Sequence, residues 1–119
     1  MLKPILFLSY AGCSTCKKAL NWLNRRGLAV TVRPITSEPP TKVELAAWLP
    51  KSGKPVRKWL NTSGQSYRAL DKTFVAKATE TEWLDALTKD GKLVKRPVLV
   101  SGDTVLVGFD EDAYDAAFT

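Results

Sequence analysis

The pattern of apolar positions changes its period twice within the first 35 residues. The segment PILFLSY, residues 4–10, is a short apolar run ending in turn-prone residues, which is typical of a buried strand. From Ser14 onward, apolar residues recur at helical spacing, and Gly27 suits the end of that helix. The segment LAVTVRPI, residues 28–35, alternates and is β-branched, so it predicts a second strand. Strand, helix and strand form a βαβ unit, which implies a parallel strand pair with a right-handed crossover.

The middle of the chain, residues 37–92, has a helical character. The segments TKVE at 41–44 and TETE at 79–82 have the capping-box pattern that starts helices. We expect the tryptophans of this region to form its core rather than a ligand cage, because aromatic residues at helical spacing usually serve packing. These are Trp48, Trp59 and Trp83.

The last part of the chain predicts a β-hairpin followed by a helix. PVLV at 97–100 and TVLVGF at 104–109 are apolar strand segments, and the SGD between them suits a turn. The segment DEDAYDAAF, residues 110–118, places acids in the first turn of a closing helix.

The order of these elements predicts an α/β protein with a thioredoxin-like fold and a central helical insertion. A chain of 119 residues has the size of one domain. We therefore expect a single domain over residues 1–119, with residues 1–36 and 93–119 as the thioredoxin-like core and residues 37–92 as the insertion.

The distribution of charged and apolar residues argues against nucleic-acid binding and against a membrane protein. Residues 1–79 carry 14 Lys/Arg and three acids, whereas residues 80–119 carry four Lys/Arg and nine acids. The basic residues are scattered and carry no binding motif, so we expect no direct nucleic-acid binding. The apolar runs are too short for a membrane span, and no secretion signal is visible, so we expect a cytoplasmic protein without a membrane partner.

The segment CSTC holds both cysteines of the chain, Cys13 and Cys16. Two cysteines without any histidine cannot make a structural zinc site, which needs four such ligands, so we expect no metal. Cys16 could be a structural thiol, because it lies on the apolar face of the predicted helix. Cys13 fits that interpretation poorly, because it follows Gly12 in a loop at the helix entrance.

The helix entrance favours the anionic form of Cys13. The first helical turn offers unpaired backbone N–H groups and a partial positive charge, and Lys17 and Lys18 add to it. Cys-x-x-Cys beside a βαβ unit in a cytosolic protein is a known redox signature. We therefore favour a redox-active pair over a structural one, with Cys13 as nucleophile and Cys16 as the thiol that forms the disulfide with it.

The segment KRPVLV places Arg96 and Pro97 before the third predicted strand. In thioredoxin-like folds a proline here is commonly cis and faces the reactive cysteine, although a trans proline that starts a strand is the ordinary alternative. Arg96 would then stabilise the Cys13 thiolate and clamp an oxyanion, or else form a surface ion pair. We expect Arg96 to be catalytic, and we expect four further residues to bind substrate. These are Gly12, Ser14, Thr15 and Pro97.

Four segments together resemble a known family nearly end to end: CSTCKKALNWL, NTSGQSYRAL, KRPVLV and VGFDED. The resemblance is to the arsenate reductase-like ArsC/Spx/MgsR family. It implies a thioredoxin-like domain with a helical insertion, a nucleophilic cysteine at Cys13, and an arginine before a cis-proline at Arg96–Pro97.

The resemblance also implies a difference from the glutathione-coupled arsenate reductases, which clamp the oxyanion with three arginines. Arg96 matches one of them, whereas this chain has Asn61 and Gly108 where the other two would stand. Each lost charge-assisted contact weakens oxyanion binding by about 1.5–3 kcal/mol. We therefore expect inefficient arsenate reduction unless Arg57 or Arg68 substitutes.

Two functions follow from the dithiol and the resemblance. The first is a thiol–disulfide oxidoreductase that acts on a small-molecule or protein disulfide, binds no cofactor and is reduced by thioredoxin or glutathione. The second, implied by the Spx/MgsR branch, is a redox-switched transcription regulator that binds the RNA polymerase α subunit. An inert structural remnant is the third alternative.

Overall fold

A computed structural model of the chain describes residues 3–118 and has a mixed α/β fold. Within that part of the chain, four strands and six α-helices follow one another in the thioredoxin-like order that the sequence predicts, with the additional helices in the middle. The strands are β1 (Ile5–Ser9), β2 (Val30–Pro34), β3 (Val98–Ser101) and β4 (Thr104–Val107). The helices are α1 (Ser14–Arg25), α2 (Lys42–Ser52), α3 (Gln65–Arg68), α4 (Lys72–Lys77), α5 (Glu80–Lys89) and α6 (Glu111–Ala117).

The strands form one sheet in the order β2-β1-β3-β4. The pair β1 and β2 is parallel, which confirms the predicted βαβ unit, and β3 with β4 forms the predicted antiparallel hairpin. The pair β1 and β3 is also antiparallel, with Leu8 opposite Val98. This register brings the segment that follows β1, which carries Cys13, next to the segment that precedes β3, which carries Arg96.

Helix α1 has clear structural signals at both ends. It begins after Cys13, whose side chain caps it, and it ends at Arg25, two residues before Gly27, where φ is +69°. The N–H groups of Gly27 and Leu28 donate back to the carbonyls of Asn24 and Leu23, which is the Schellman arrangement. A non-glycine residue would be strained at this φ, so Gly27 stops the helix as expected.

The chain divides into two compact units. One runs up to Pro34 and resumes at Arg96, and the other is Ile35–Lys95. In the first unit, the sheet and helices α1 and α6 enclose an apolar core. That core consists of Ile5, Phe7, Ala19, Trp22, Leu23, Leu99 and Tyr114. The single-domain organisation stays a prediction from chain length.

The second unit contains α2 to α5 and two short 3-10 turns, Val56–Trp59 and Gly91–Leu93. Both predicted capping boxes are present, because Thr41 and Thr79 each exchange hydrogen bonds with the glutamate three residues later. The three tryptophans of this unit are buried, as predicted for its core. The ring of Trp83 packs edge-to-face on Phe74, with ring centroids 5.0 Å apart.

No helix between residues 3 and 118 combines the length and the apolar character that a membrane span requires.

Candidate active site

Cys13 lies where α1 begins. Its backbone is extended, with φ −96° and ψ 113°, and its sulfur accepts a hydrogen bond from the backbone N–H of Cys16 at 3.3 Å. Its own N–H donates to the carbonyl of Tyr10 at 3.1 Å, which closes the turn after β1. A serine or aspartate oxygen usually holds this capping position. Here a sulfur holds it, so an amide of the first helical turn points at a nucleophilic atom.

Arg96 and Pro97 reach the same place from the other end of the chain. Their peptide bond is cis, as the thioredoxin-like order leads one to expect, and the Pro97 carbonyl accepts from the N–H of Gly108 at 2.8 Å. The Arg96 side chain hydrogen-bonds to Cys13. The structure therefore places the guanidinium beside the sulfur, as the sequence predicted.

These contacts favour the thiolate of Cys13. Partial burial raises the pKa of Cys13, but the hydrogen bonds from the thiol and the backbone N–H of Cys16 lower it. A hydrogen bond and the positive charge of Arg96 lower it further, and the net pKa lies below the ordinary value for cysteine. The anion of Cys13 is thus stabilised by two separate elements, the start of α1 and the turn before β3.

Cys16 has the opposite preference. Its side chain is only 2% exposed, and burial is the main reason that its pKa is raised to about 11. Its hydrogen bond to Cys13 and the negative charge on Cys13 raise this pKa further, whereas the backbone of Tyr10 and the side chain of Ser9 act in the lowering direction. At neutral pH, Cys16 therefore keeps its proton and donates it toward the Cys13 sulfur.

The remaining predicted site residues lie around this dithiol. Gly12, Ser14 and Thr15 are exposed on either side of Cys13, and Pro97 is buried. Ser14 and Thr15 are the first two residues of α1, so their backbone N–H groups belong to the unpaired amides of the helix start. Their role in substrate binding stays a prediction.

The two positions where arsenate reductases would carry further arginines have structural roles here. Asn61 is hydrogen-bonded within the second unit. Its backbone N–H donates to the carbonyl of Leu93 at 2.8 Å, and its side-chain amide donates to the carbonyl of Lys92. Gly108 has a φ of +78°, a conformation that strains any residue with a Cβ. The backbone itself therefore disfavours arginine at position 108.

Arg57 and Arg68, the two arginines that could substitute for those clamps, are hydrogen-bonded within the second unit. The guanidinium of Arg57 donates to the carbonyl of Val75 at 2.8 Å and lies 5.4 Å from the centre of the Trp83 ring. Arg68 donates to the carbonyl of Ser63 at 3.1 Å. The guanidinium groups of both arginines therefore make contacts within the second unit.

The sequence interpretation missed Tyr10. The carbon Cζ of Arg96 lies over the Tyr10 ring, 4.5 Å from its centre, so an aromatic face and a thiolate share the same guanidinium. An aromatic residue three positions before the first cysteine was the available signal. It could not be interpreted without the pairing of β1 with β3.

Residues 3–118 contain no group of three or more His, Cys, Asp or Glu side chains placed to hold an ion. What the site offers instead is two thiols of different acidity and one guanidinium.

Comparisons with known proteins identify the family of this chain. The sequence profile of the ArsC family matches residues 8–117. YusI, an uncharacterized protein of Bacillus subtilis (strain 168), is 41% identical over 112 residues, which cover 93% of this chain and 95% of YusI. The regulatory protein MgsR of the same organism is 28% identical over 110 residues, which cover 92% of this chain and 86% of MgsR.

A solved structure has the same fold. The crystal structure of an ArsC family related protein from Bacteroides fragilis superposes with a TM-score of 0.91 and is 43% identical, covering 98% of each chain. The chain is therefore similar along its length to proteins of both the arsenate reductase-like and the regulatory branches.

Proposed function

We propose that this chain, which belongs to the ArsC family, is a thiol–disulfide oxidoreductase in which Cys13 attacks and Cys16 resolves. One observation carries the proposal: the Cys13 sulfur caps α1 and accepts from the backbone N–H of Cys16 at 3.3 Å, whereas the Cys16 thiol is buried one helical turn away. The pKa of Cys13 is accordingly lowered and that of Cys16 raised. A dithiol divided in this way has one sulfur that is ready to attack. The second sulfur stays protonated until the first has reacted.

In the first step, the Cys13 thiolate attacks one sulfur of a substrate disulfide. A bond forms between Cys13 and that sulfur, the substrate S–S bond breaks, and the second substrate sulfur leaves as a thiolate that takes a proton from water. The Arg96 guanidinium and the amide of Cys16 stabilise the negative charge before the attack.

In the second step, Cys16 resolves the mixed disulfide. Once Cys13 is bonded to substrate, its negative charge is gone, so one cause of the raised pKa of Cys16 disappears. Cys16 loses its proton to water and attacks Cys13, which forms the 13–16 disulfide and releases the second substrate thiolate. Two electrons have then passed from the dithiol to the substrate.

A cellular thiol must return those two electrons. We propose thioredoxin or glutathione as the reductant, with no bound cofactor, in a reducing compartment such as the cytoplasm, where dithiols of this kind are usually catalytic or sensory. The substrate is a small-molecule or protein disulfide. Arsenate is a weaker candidate, because only Arg96 of the three clamping arginines is present.

The pH dependence of alkylation tests this function. We expect the alkylation rate of Cys13 by iodoacetamide to reach half its maximum below the midpoint of an ordinary cysteine, which is about 8.5. Cys16 should react only at a clearly higher pH than Cys13, because burial, the main cause of its raised pKa, remains after Cys13 has been alkylated. Mass spectrometry of the two cysteines after timed reaction with the reduced protein provides the measurement.

The same chain unfolded in urea is the matched control, because there both cysteines should titrate alike, near about 8.5. A midpoint for Cys13 in the folded protein at or above that of the unfolded chain would contradict the proposed function.

A second candidate function is a redox-switched regulator that binds the C-terminal domain of the RNA polymerase α subunit. The similarity to MgsR, named a regulatory protein, favours it. So does the basic segment 1–79, which could meet an acidic partner surface.

Binding to the purified C-terminal domain of the α subunit distinguishes the two functions. A regulator should bind it with an affinity that changes by about tenfold or more between the reduced and the oxidised protein. Cys13→Ser, which cannot form the 13–16 disulfide, should bind equally under both conditions. Absence of binding in both redox states would remove this candidate and leave the oxidoreductase.

A further inference from the structure

The residues just before Cys13 form a chain of contacts that ends at the reactive sulfur. Gly12 is exposed, and a Cβ built on it would lie 3.1 Å from Cε2 of Tyr10. The Tyr10 ring lies under the Arg96 guanidinium at 4.5 Å, and Arg96 hydrogen-bonds to Cys13.

The sheet register explains why Tyr10 meets Arg96. Strand β1 pairs with β3 antiparallel, with Leu8 opposite Val98. The end of β1 and the start of β3 therefore lie at the same edge of the sheet. Tyr10 follows β1 by one residue and Arg96 precedes β3 by two, so both leave the sheet at this edge.

We propose that Tyr10 is a positioning residue: its ring holds the Arg96 guanidinium beside the Cys13 sulfur, and Gly12 leaves the space that the ring occupies. The inference rests on the proposed function, because it assigns the origin of the thiolate stabilisation at that site. The flat face of the Arg96 guanidinium can stack on the Tyr10 ring, whereas its N–H groups donate hydrogen bonds in the guanidinium plane. The two contacts of Arg96 are therefore compatible.

Holding the guanidinium matters because a free arginine side chain has many rotamers. A half-exposed arginine loses conformational freedom when it binds an anion, and a rigid aromatic support reduces that loss. The backbone of Gly12 does not have a left-handed φ, so its conformation does not require glycine. We infer that glycine is needed at this position because a side chain would crowd the Tyr10 ring.

Four single variants and two combinations of them test the proposal. All are made in a Cys16→Ala background, where Cys13 is the only thiol. Tyr10→Leu should raise the pH midpoint of Cys13 alkylation by about half a unit to one unit and slow alkylation near neutral pH by about threefold to tenfold. Tyr10→Phe keeps the ring, so it should stay within about twofold of the parent.

Gly12→Ala should shift the midpoint by a smaller amount, because its Cβ would lie 3.1 Å from Cε2 of Tyr10 and the ring must move by a few tenths of an ångström. It should have no further effect when combined with Tyr10→Leu, since the ring is then absent. Arg96→Gln should shift the midpoint at least as far as Tyr10→Leu, and the double variant should shift it no further than Arg96→Gln alone.

Circular dichroism checks that each variant is folded, and Gly12→Ala perturbs the ring without altering Tyr10 itself. Full additivity of Tyr10→Leu and Arg96→Gln, or an unchanged midpoint in Tyr10→Leu, would overturn the positioning role while leaving the oxidoreductase standing. If the parent protein itself titrates like an unfolded cysteine, the proposed function fails and the role of Tyr10 fails with it.

Discussion

Replacing Cys13 with serine is expected to reduce the turnover of a disulfide substrate by about a thousandfold or more. A serine hydroxyl is not ionised at neutral pH and cannot form a disulfide, so both the attack and the 13–16 bond are lost. Turnover is measured with a generic disulfide, such as the oxidised form of a chromogenic thiol, in the presence of thioredoxin and its reductase or of glutathione and its reductase.

The loss can be attributed to chemistry because serine suits the structural role of Cys13. Serine is among the best residues at a helix N-cap, and its oxygen can accept from the N–H of Cys16 as the sulfur does. We therefore expect the melting temperature of Cys13→Ser to equal or exceed that of the parent. Turnover above about one tenth of the parent rate in a folded Cys13→Ser protein would refute Cys13 as the nucleophile.

Replacing Cys16 with alanine is expected to separate attack from resolution. The variant should keep the first step, because the backbone N–H of Cys16 and the charge of Arg96 still stabilise the Cys13 thiolate. The second step has no thiol, so the mixed disulfide with substrate should accumulate, and turnover should fall by about a hundredfold. Alanine also fits this buried position on α1, next to Ala19.

Intact-mass spectrometry after one equivalent of substrate disulfide measures this trap. The parent protein should show only the mass of the internal disulfide, and Cys16→Ala should show the added substrate fragment. Alkylation of Cys13 in Cys16→Ala should slow by only a few-fold, reflecting the lost hydrogen bond from the Cys16 thiol. Undiminished turnover would mean that an external thiol resolves the intermediate and that Cys16 has another role.

Much of the fold was predictable because its signals are local. The periods of the apolar pattern identified β1, α1 and β2, and the SGD turn identified the hairpin of β3 and β4. Their ends were less certain: the predicted first strand, residues 4–10, extends one residue past the observed Ile5–Ser9 at each end. Strand ends depend on which backbone groups find partners on neighbouring strands, and a single segment does not contain that information.

In the candidate site, too, only the features that depend on neighbouring residues could be predicted from the sequence. Gly12, Cys13 and Ser14 stand at a loop-to-helix boundary, so the lowered pKa of Cys13 follows from its position relative to helix amides. The raised pKa of Cys16 could not be assigned with equal certainty, because it depends on burial and on the charge of Cys13. The role of Tyr10 was invisible for a similar reason, since its partner Arg96 lies far along the chain.

The order of the amino acids by itself determined the elements, the capped helix and the presence of two cysteines one turn apart, because each of these is a property of neighbouring residues. Only the tertiary structure decided how deeply Cys16 is buried and which residues hold Arg96 beside Cys13. Antiparallel pairing of β1 with β3 carries Arg96 to Tyr10 and Cys13. The energies of charges and buried thiols depend on distances in space, which distant parts of the chain acquire only on folding.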